Sequence, residues 1–514
     1  MVKGSNMQDS QACTQTQTQY YSESQNTQQT IVQRVTRNPW GRVIIHKMRP
    51  KVPQQHGSTQ SSLNEFQSVG ILSEHDLCEE EWTCGRLSEA HFTLSKNEMP
   101  EGEILKLSKI QFIIRRNLSH PLNPPIIEDK STNGTFVGLS RVGKGRCRVL
   151  RNKDSISILM PKFTLFTFID LHVNCTLELP PEIAQQYYVG PKLGAGGCGE
   201  VTKVFRVRCC TPFAMKIVKK CRFTENFGQS GATANTATRI LNEIEILKKL
   251  QHPCVIEMHD IVDRPDAVYI FLELMNGGDL CHRITSDPKK YLTEEISRLY
   301  FLQTCYAVEY LHRNKITHRD LKPDNILLAS NEMVTLVKVT DFGLSKFVQT
   351  DSVMKTMCGT PQYVAPEVLK PHTGAYTEKV DIWSLGVLLY TTLCGDFPFI
   401  TRNGRRQANL GARFRRLTEA AKTVVYDCLR TEVDKRPAVS KLLTYKWLTH
   451  PGTIAQAKQL MHTHAQRTPR RASRDETTEN VSQFHATVAT TPVHQLSDSQ
   501  FMEPPAKRIR IEYS

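Results

Sequence analysis

The stretch His318-Arg319-Asp320-Leu321-Lys322-Pro323-Asp324-Asn325, with Asp341-Phe342-Gly343 and Ala365-Pro366-Glu367 following it, decides the reading of this chain. The first run brings an acid, a lysine and an asparagine into one short loop. Asp320 can orient a hydroxyl and accept its proton, and Asn325 offers an oxygen to a hard cation. Asp341 supplies a second oxygen, suited to a metal that bridges phosphates. Together these groups suit the transfer of a phosphoryl group onto a hydroxyl.

Working upstream, Gly194-Ala195-Gly196-Gly197-Cys198-Gly199-Glu200-Val201 follows an apolar run and reads GxGxxGxV. Glycines there let backbone amides approach phosphates without a Cβ clash. Leu193, Gly194, Gly196, Gly199 and Val201 are the candidate nucleotide-contacting residues of this loop. Ala214-Met215-Lys216 lies on a strand-like stretch, where Lys216 can hold the α- and β-phosphates of ATP and Ala214 faces the same ligand. The ammonium of Lys216 needs an acidic partner. Glu243 lies on a helical pattern from Leu241 to Leu250, with Glu245 on another face as the alternative.

These motifs resemble the eukaryotic protein kinase superfamily. The resemblance implies an α+β bilobal fold over residues 187–450, a β-rich lobe above a helical one, with ATP and Mg2+ between them. It implies that Leu272 is the gatekeeper and that Glu273 to Met275 receive adenine. Lys322 marks a Ser/Thr kinase and should touch the γ-phosphate, with Asp320, Lys322, Lys216 and Glu243 as the catalytic set. Asp381 resembles the residue that braces the catalytic loop, and Arg436 the buried partner of Glu367. Asp279 is a further candidate in the ATP cleft. Asp279 and Asp324 also stand where two carboxylates would favour substrates with an arginine three residues before the target Ser or Thr.

Between residues 63 and 175, short β-like runs such as Ile110 to Ile114 and Phe163 to Ile169 alternate with Gly and Asn-Gly turns, the pattern of a β-sandwich. Gly85-Arg86, Ser108-Lys109 and Ser131-Thr132-Asn133-Gly134-Thr135 are spaced along it as in a forkhead-associated domain, which reads phosphothreonine. Arg86 offers a charged fork for phosphate oxygens, Ser108 and Lys109 add donors, and Asn133 can clamp the ligand backbone. That family usually carries His three residues after the serine, as a loop support. Here Gln111 stands in its place.

The leader, residues 1–62, is rich in Gln, Ser and Thr and is expected to be disordered. Seven Ser-Gln or Thr-Gln pairs begin at Ser10, Thr14, Thr16, Thr18, Ser24, Thr27 and Thr59, where random order would give roughly two. They read as targets of an upstream Ser/Thr-Gln-directed kinase. This cluster, one forkhead-associated domain and a kinase, in that order, resemble the checkpoint kinase 2 family, as does local sequence such as Thr356-Met357-Cys358-Gly359-Thr360-Pro361. The resemblance implies activating phosphosites at Thr356 and Thr360, a phosphorylation-dependent homodimer, and a role in DNA-damage or meiotic recombination signalling. Between Phe399 and Arg436 the chain is shorter than the family pattern and lacks its usual tryptophan, so part of a peripheral helix is expected to be lost. The competing reading is a phosphothreonine-binding scaffold whose kinase lobe does not work.

Composition bounds the rest. The chain has 514 residues, net charge +15 and 15 cysteines without a CxxC pair, which read as reduced thiols. No apolar run approaches membrane-spanning length, no secretory leader is apparent, and neither membrane nor direct nucleic-acid binding is expected. Residues 451–514 read as a basic, disordered tail. Arg467 to Arg474 and Lys507-Arg508-Ile509-Arg510 are candidate import signals, placing the protein in the nucleus.

Overall fold

The computed structural model describes residues 38–50, 66–172, 177–196, 199–219, 247–342, 361–368, 377–402 and 405–467. The seven leader phosphosites, Glu243, Thr356, Thr360 and both import runs beyond Arg467 lie outside the described residues.

The first domain is a β-sandwich of eleven strands: β1 (Gly41–Pro50), β2 (Phe66–Leu77), β3 (Glu81–Gly85), β4 (Phe92–Thr93), β5 (Phe112–Arg115), β6 (Ile126–Asp129), β7 (Thr135–Val137), β8 (Ser140–Arg141), β9 (Cys147–Val149), β10 (Ser155–Ile158) and β11 (Thr164–Asp170). One sheet runs β2-β1-β11-β10-β7-β8 and the other β4-β3-β5-β6-β9. The core between them is aromatic. Trp82, Phe112 and Phe166 are buried, with Phe112 and Phe166 edge to face at 5.4 Å.

The structure corrects the start of this domain. The sequence reading assigns residues 1–62 to a disordered leader and begins the sandwich at 63, whereas β1 is a central strand of the first sheet, antiparallel to both β2 and β11. Trp40 just before it is 2 % exposed, and its Nε1 donates to Glu79 O at 2.8 Å. Val43 and Ile45 alternate into the core. Gln- and Thr-rich flanks conceal this short apolar alternation when composition is averaged over the leader.

The second β-rich lobe is one sheet ordered β12-β13-β14-β16-β15, built from β12 (Tyr187–Gly196), β13 (Gly199–Arg206), β14 (Pro212–Lys219), β15 (Met258–Asp263) and β16 (Ala267–Glu273). It follows helix α1 (Pro181–Gln186). The sandwich meets this lobe directly. Val149 N, on the open edge of β9, donates to Val207 O at 2.9 Å, and Arg151 Nη2 donates to the carbonyls of Ala184 and Gln185 at the end of α1. Val149, Phe205 and Val207 bury a small apolar cluster at that contact.

The helical lobe is carried by α2 (Leu280–Ser286), α3 (Glu294–Arg313), α4 (Lys379–Cys394) and α5 (Glu419–Cys428), with the hairpins β17 (Ile326–Leu328)–β18 (Val337–Val339) and β19 (Phe399–Arg402)–β20 (Arg405–Ala408). Thr293 and Thr418 cap α3 and α5 by accepting backbone N–H bonds. Leu299, Leu302 and Leu311 of α3 pack with Leu385 and Leu389 of α4 in the main core. In the shortened region the β19–β20 hairpin and a turn of helix at Ala412–Arg415 connect α4 to α5. Phe414 and Leu417 are buried there, and Trp383 stacks on Phe399 at 5.3 Å.

A second correction falls at the C-terminal boundary. Residues from 451 read as a disordered tail, but α6 (Pro451–Arg467) is helical. Ala457 is fully buried and Ile454, Leu460 and Met461 pack on the main core. These positions form one helical stripe, with Gln456, Lys458 and Gln459 supplying the polar look. No described helix is long and apolar enough to cross a membrane, and the described cysteines are free thiols.

Candidate functional site

The catalytic loop is held from below. Asp381, in the first turn of α4, is completely buried, and its carboxylate accepts from Arg319 N and His318 N at 2.8 Å each. His312 Nε2 lies 2.8 Å from the same carboxylate. Arg319 takes φ +68°, a left-handed conformation unusual for a residue with a Cβ, which these bonds stabilise. His318 bridges onward, with Nε2 2.9 Å from Thr340 O and Nδ1 accepting from Asp320 N at 3.3 Å.

On this base stand the groups singled out in the sequence. Lys322 Nζ donates to Asp320 Oδ2 at 2.8 Å, and Asn325 Nδ2 donates to Asp320 O at 2.7 Å and to Oδ2 at 3.1 Å. Asp320, Lys322 and Asn325 therefore form one cluster. Thr340 N donates to Asn325 O, which sets Asn325 beside the chain that carries Asp341. Asp341 has φ +65°, and its Oδ2 accepts from Lys216 Nζ at 2.7 Å. Lys216 is 4 % exposed, and a lysine so buried requires a carboxylate partner.

The residues above this cluster fit a nucleotide. β12 and β13 form a hairpin in which Gly196 faces Gly199 and Gly194 faces Val201, while Val201 lies opposite Lys216 on β14. Gly199 has φ +129°, and a Cβ there would come 2.2 Å from Ile217 O, so only glycine lets β13 pass. A Cβ at Gly194 would meet nothing, so packing does not demand glycine there; it leaves that face clear for a ligand. Leu193 beside it is half exposed. Ala214 pairs with Leu272 across the sheet, and Leu272 leads through Glu273 toward half-buried Met275. The oxygen donors of Asn325 and Asp341 suit Mg2+, which takes one or two protein ligands and fills its shell with phosphate oxygens and water.

Asp279 caps α2, accepting from His282 N at 2.7 Å. Burial, then the negative charges of Asp324 and Asp279, push the Cys281 thiol upward. At the end of the activation segment, Arg436 Nη1 and Nη2 donate to Glu367 Oε1 and Oε2 at 2.6 and 2.8 Å. Sequence reading missed Lys338, which is buried on β18 and reaches Glu273 Oε1 at 2.5 Å. A lysine between two valines of a core strand is the signal that points to it.

In the sandwich, Arg86, Ser108, Lys109 and Asn133 come together at one end. Arg86 N donates to Ser108 O, Thr132 N to Ser108 Oγ at 3.0 Å, and Asn133 Nδ2 to Lys106 O at 2.6 Å. Arg86, Lys109 and Asn133 are exposed. Gly85 is required: a Cβ would stand 2.0 Å from Lys109 O. Gln111 is completely buried between the loops. Its Oε1 accepts from Ser108 N at 3.3 Å and its Nε2 donates to Gly134 O at 3.0 Å, so the amide supplies loop support from this position. Replacing Gln111 by Leu leaves the buried Gly134 carbonyl without that donor, at about 1–3 kcal/mol. The sandwich should melt roughly 5–15 °C lower by scanning fluorimetry, with Gln111→His closer to wild type. An unchanged melting point in Gln111→Leu would show that the loops hold themselves.

Comparison with known proteins places these geometries. The protein kinase domain model matches residues 187–448 and the FHA domain model residues 82–159. The chain is 44% identical over 451 residues to the ovarian-specific serine/threonine-protein kinase Lok of Drosophila melanogaster, covering 85% of this chain and 87% of that protein. It is 32% identical to the serine/threonine-protein kinase chk-2 of Caenorhabditis elegans, over 74% of this chain and 81% of the relative. A crystal structure of Rad53 residues 1–466 in complex with AMP-PNP aligns with 79% of this chain and 99% of that one, at 26% identity and a TM-score of 0.48.

Proposed function

This chain belongs to the checkpoint kinase 2 family of serine/threonine protein kinases, and we propose that it acts in the nucleus in DNA-damage or meiotic recombination signalling. The observation that carries the chemistry is the convergence of Lys322 Nζ and Asn325 Nδ2 on the carboxylate of Asp320, above the buried Asp381 brace. Asp320 orients the substrate hydroxyl and takes its proton. Lys216 holds the α- and β-phosphates of ATP, Lys322 meets the γ-phosphate, and Asn325 with Asp341 would hold Mg2+, whose charge neutralises that developing on the phosphoryl oxygens. Leu272, Glu273 and Met275 line the adenine end. Asp279 and Asp324 select an arginine three residues before the phosphorylated Ser or Thr.

The FHA domain reads phosphothreonine, with Arg86, Ser108, Lys109 and Asn133 as its phosphopeptide contacts. In our reading an upstream kinase phosphorylates a leader site such as Thr27, and the FHA domain of a second molecule captures it. Two reciprocal captures give avidity. The paired kinase domains then phosphorylate each other on Thr356, whose phosphate pairs with Arg319, and on Thr360. The seven Ser/Thr-Gln pairs support this relay, and the basic runs support a place in the nucleus.

The test is an in vitro assay on Arg-x-x-Ser and Ala-x-x-Ser peptides, with leader-phosphorylated wild type and Arg86→Ala followed by analytical ultracentrifugation. Arg86→Ala removes hydrogen bonds to a charged group worth about 1.5–3 kcal/mol, so phosphopeptide affinity should fall tenfold or more. The phosphorylated variant should stay monomeric and gain Thr356 phosphate late. Dimerisation of Arg86→Ala at wild-type concentration would overturn the relay. Equal rates on the two peptides would remove Asp279 and Asp324 as selectors.

A further inference from the structure

The geometry points to Lys338 as a positioning residue for nucleotide binding, one that fixes the adenine-receiving strand end through Glu273. This inference rests on the reading of the Leu272–Met275 segment as the nucleotide hinge.

Lys338 sits at the middle of β18, three residues before Asp341. Its side chain is 4 % exposed, that of Glu273 13 %, and Nζ stands 2.5 Å from Glu273 Oε1. Glu273 ends β16, at the hinge. The same Oε1 accepts from Glu257 N at 2.7 Å, and Glu273 N donates to Glu257 O at 3.0 Å. Farther along that connecting chain, Ile256 N donates to Val339 O at 2.9 Å and Val339 N donates to Cys254 O at 2.8 Å. The chain from Cys254 to Glu257 is thus stitched to β18 on one side and to the hinge on the other. Lys338 is the side chain that joins both sides directly.

That junction links the two ends of the nucleotide cleft. β18 runs on through Thr340, which accepts from His318, to Asp341, which pairs with Lys216. A shift of β18 against the hinge would change the span between the adenine-receiving backbone and the phosphate-holding side chains. The ammonium also acts on its surroundings. Burial and the positive charge of Lys338 bring His252 down to about 4, so this histidine is neutral at working pH and its Nδ1 accepts from Cys254 N at 3.1 Å. The charge of Lys338 is balanced by the carboxylate of Glu273.

Removing one partner takes the opposite charge away from a buried group, while removing both leaves a site that can repack. The substitutions are Lys338→Met, Glu273→Gln, their double, and Lys338→Arg, made in the full chain. The readouts are mant-ADP titration and the KM and kcat for ATP and for an Arg-x-x-Ser peptide. Lys338→Met should raise the dissociation constant of mant-ADP and the KM for ATP about tenfold. Peptide KM should stay within twofold and kcat within threefold. Lys338→Arg should recover most of the affinity, and the double variant should bind more tightly than Lys338→Met. Should Lys338→Met fail to fold, the double variant against Glu273→Gln carries the test, since only the former lacks both charges. The inference is overturned if folded Lys338→Met binds mant-ADP like wild type, or if peptide KM rises as far as ATP KM while kcat and melting temperature fall with them. Wild type that binds no mant-ADP would instead overturn the nucleotide reading of the cleft.

Discussion

Asp341→Ala should lower phosphoryl transfer on the order of 10^3-fold or more, and Asp320→Asn should do the same by a different route. At Asp341 the loss is electrostatic. A metal that polarises phosphoryl oxygens is worth several kcal/mol of transition-state stabilisation, and each 1.36 kcal/mol is about tenfold in rate. Its carboxylate also partners Lys216, at 2.7 Å, so alanine takes that carboxylate from a nearly buried ammonium and misplaces it for the phosphates. Asp320→Asn keeps the shape of the side chain and an acceptor for Lys322 Nζ, but removes the base. KM for peptide should move little in Asp320→Asn, because the loss falls on the reacting proton. Rapid-quench rates on an Arg-x-x-Ser peptide, alongside melting curves, measure both. Either variant, folded and within tenfold of wild-type kcat, would refute the roles given to these acids.

The legible parts of this molecule were those where chemistry dictates residue type at fixed spacing. Asp320, Lys322 and Asn325 lie within six residues and could be grouped before any fold was known; the structure adds only the bonds between them. Arg86, Ser108 and Asn133 were legible for the same reason, as loop residues between strands marked by turn signals. Less legible features depend on partners distant in sequence. Lys338 and Glu273 are separated by 65 residues, and neither announces the other. Gln111 reads as a departure from family pattern, although an amide donates and accepts in the same place and spans the same gap. β1 and α6 escaped because each is a short apolar periodicity among polar residues. The contact of Val149 with Val207 depends on which edge of the sandwich is left unpaired, a property of topology.

Arg436→Ala should be the most destabilising single change in the helical lobe. Arg436 is 1 % exposed and its guanidinium makes four hydrogen bonds: two to Glu367, Nε to Arg430 O at 2.7 Å and Nη1 to Lys379 O at 3.1 Å. It also lies 5.0 Å from the centre of the Trp383 ring. Alanine would take both guanidinium bonds from the Glu367 carboxylate and one from each of two carbonyls, and breaking a buried pair from one side costs about 3–5 kcal/mol. Against a total stability of roughly 5–15 kcal/mol that is a large fraction, and a domain of this size should melt roughly 10 °C lower. Arg436→Lys should recover part of the loss, since one ammonium replaces the charge but not the paired geometry. Exchanging both partners, Arg436→Met with Glu367→Leu, removes the stranded charge and should be less destabilising than Arg436→Ala alone. That ordering separates a buried-charge effect from lost packing: if the double variant melts below Arg436→Ala, the stability resides in the side-chain volume around Trp383 and not in the ion pair. Activity divides the same variants differently. Glu367 closes the activation segment, so the double variant should regain melting temperature without regaining wild-type kcat.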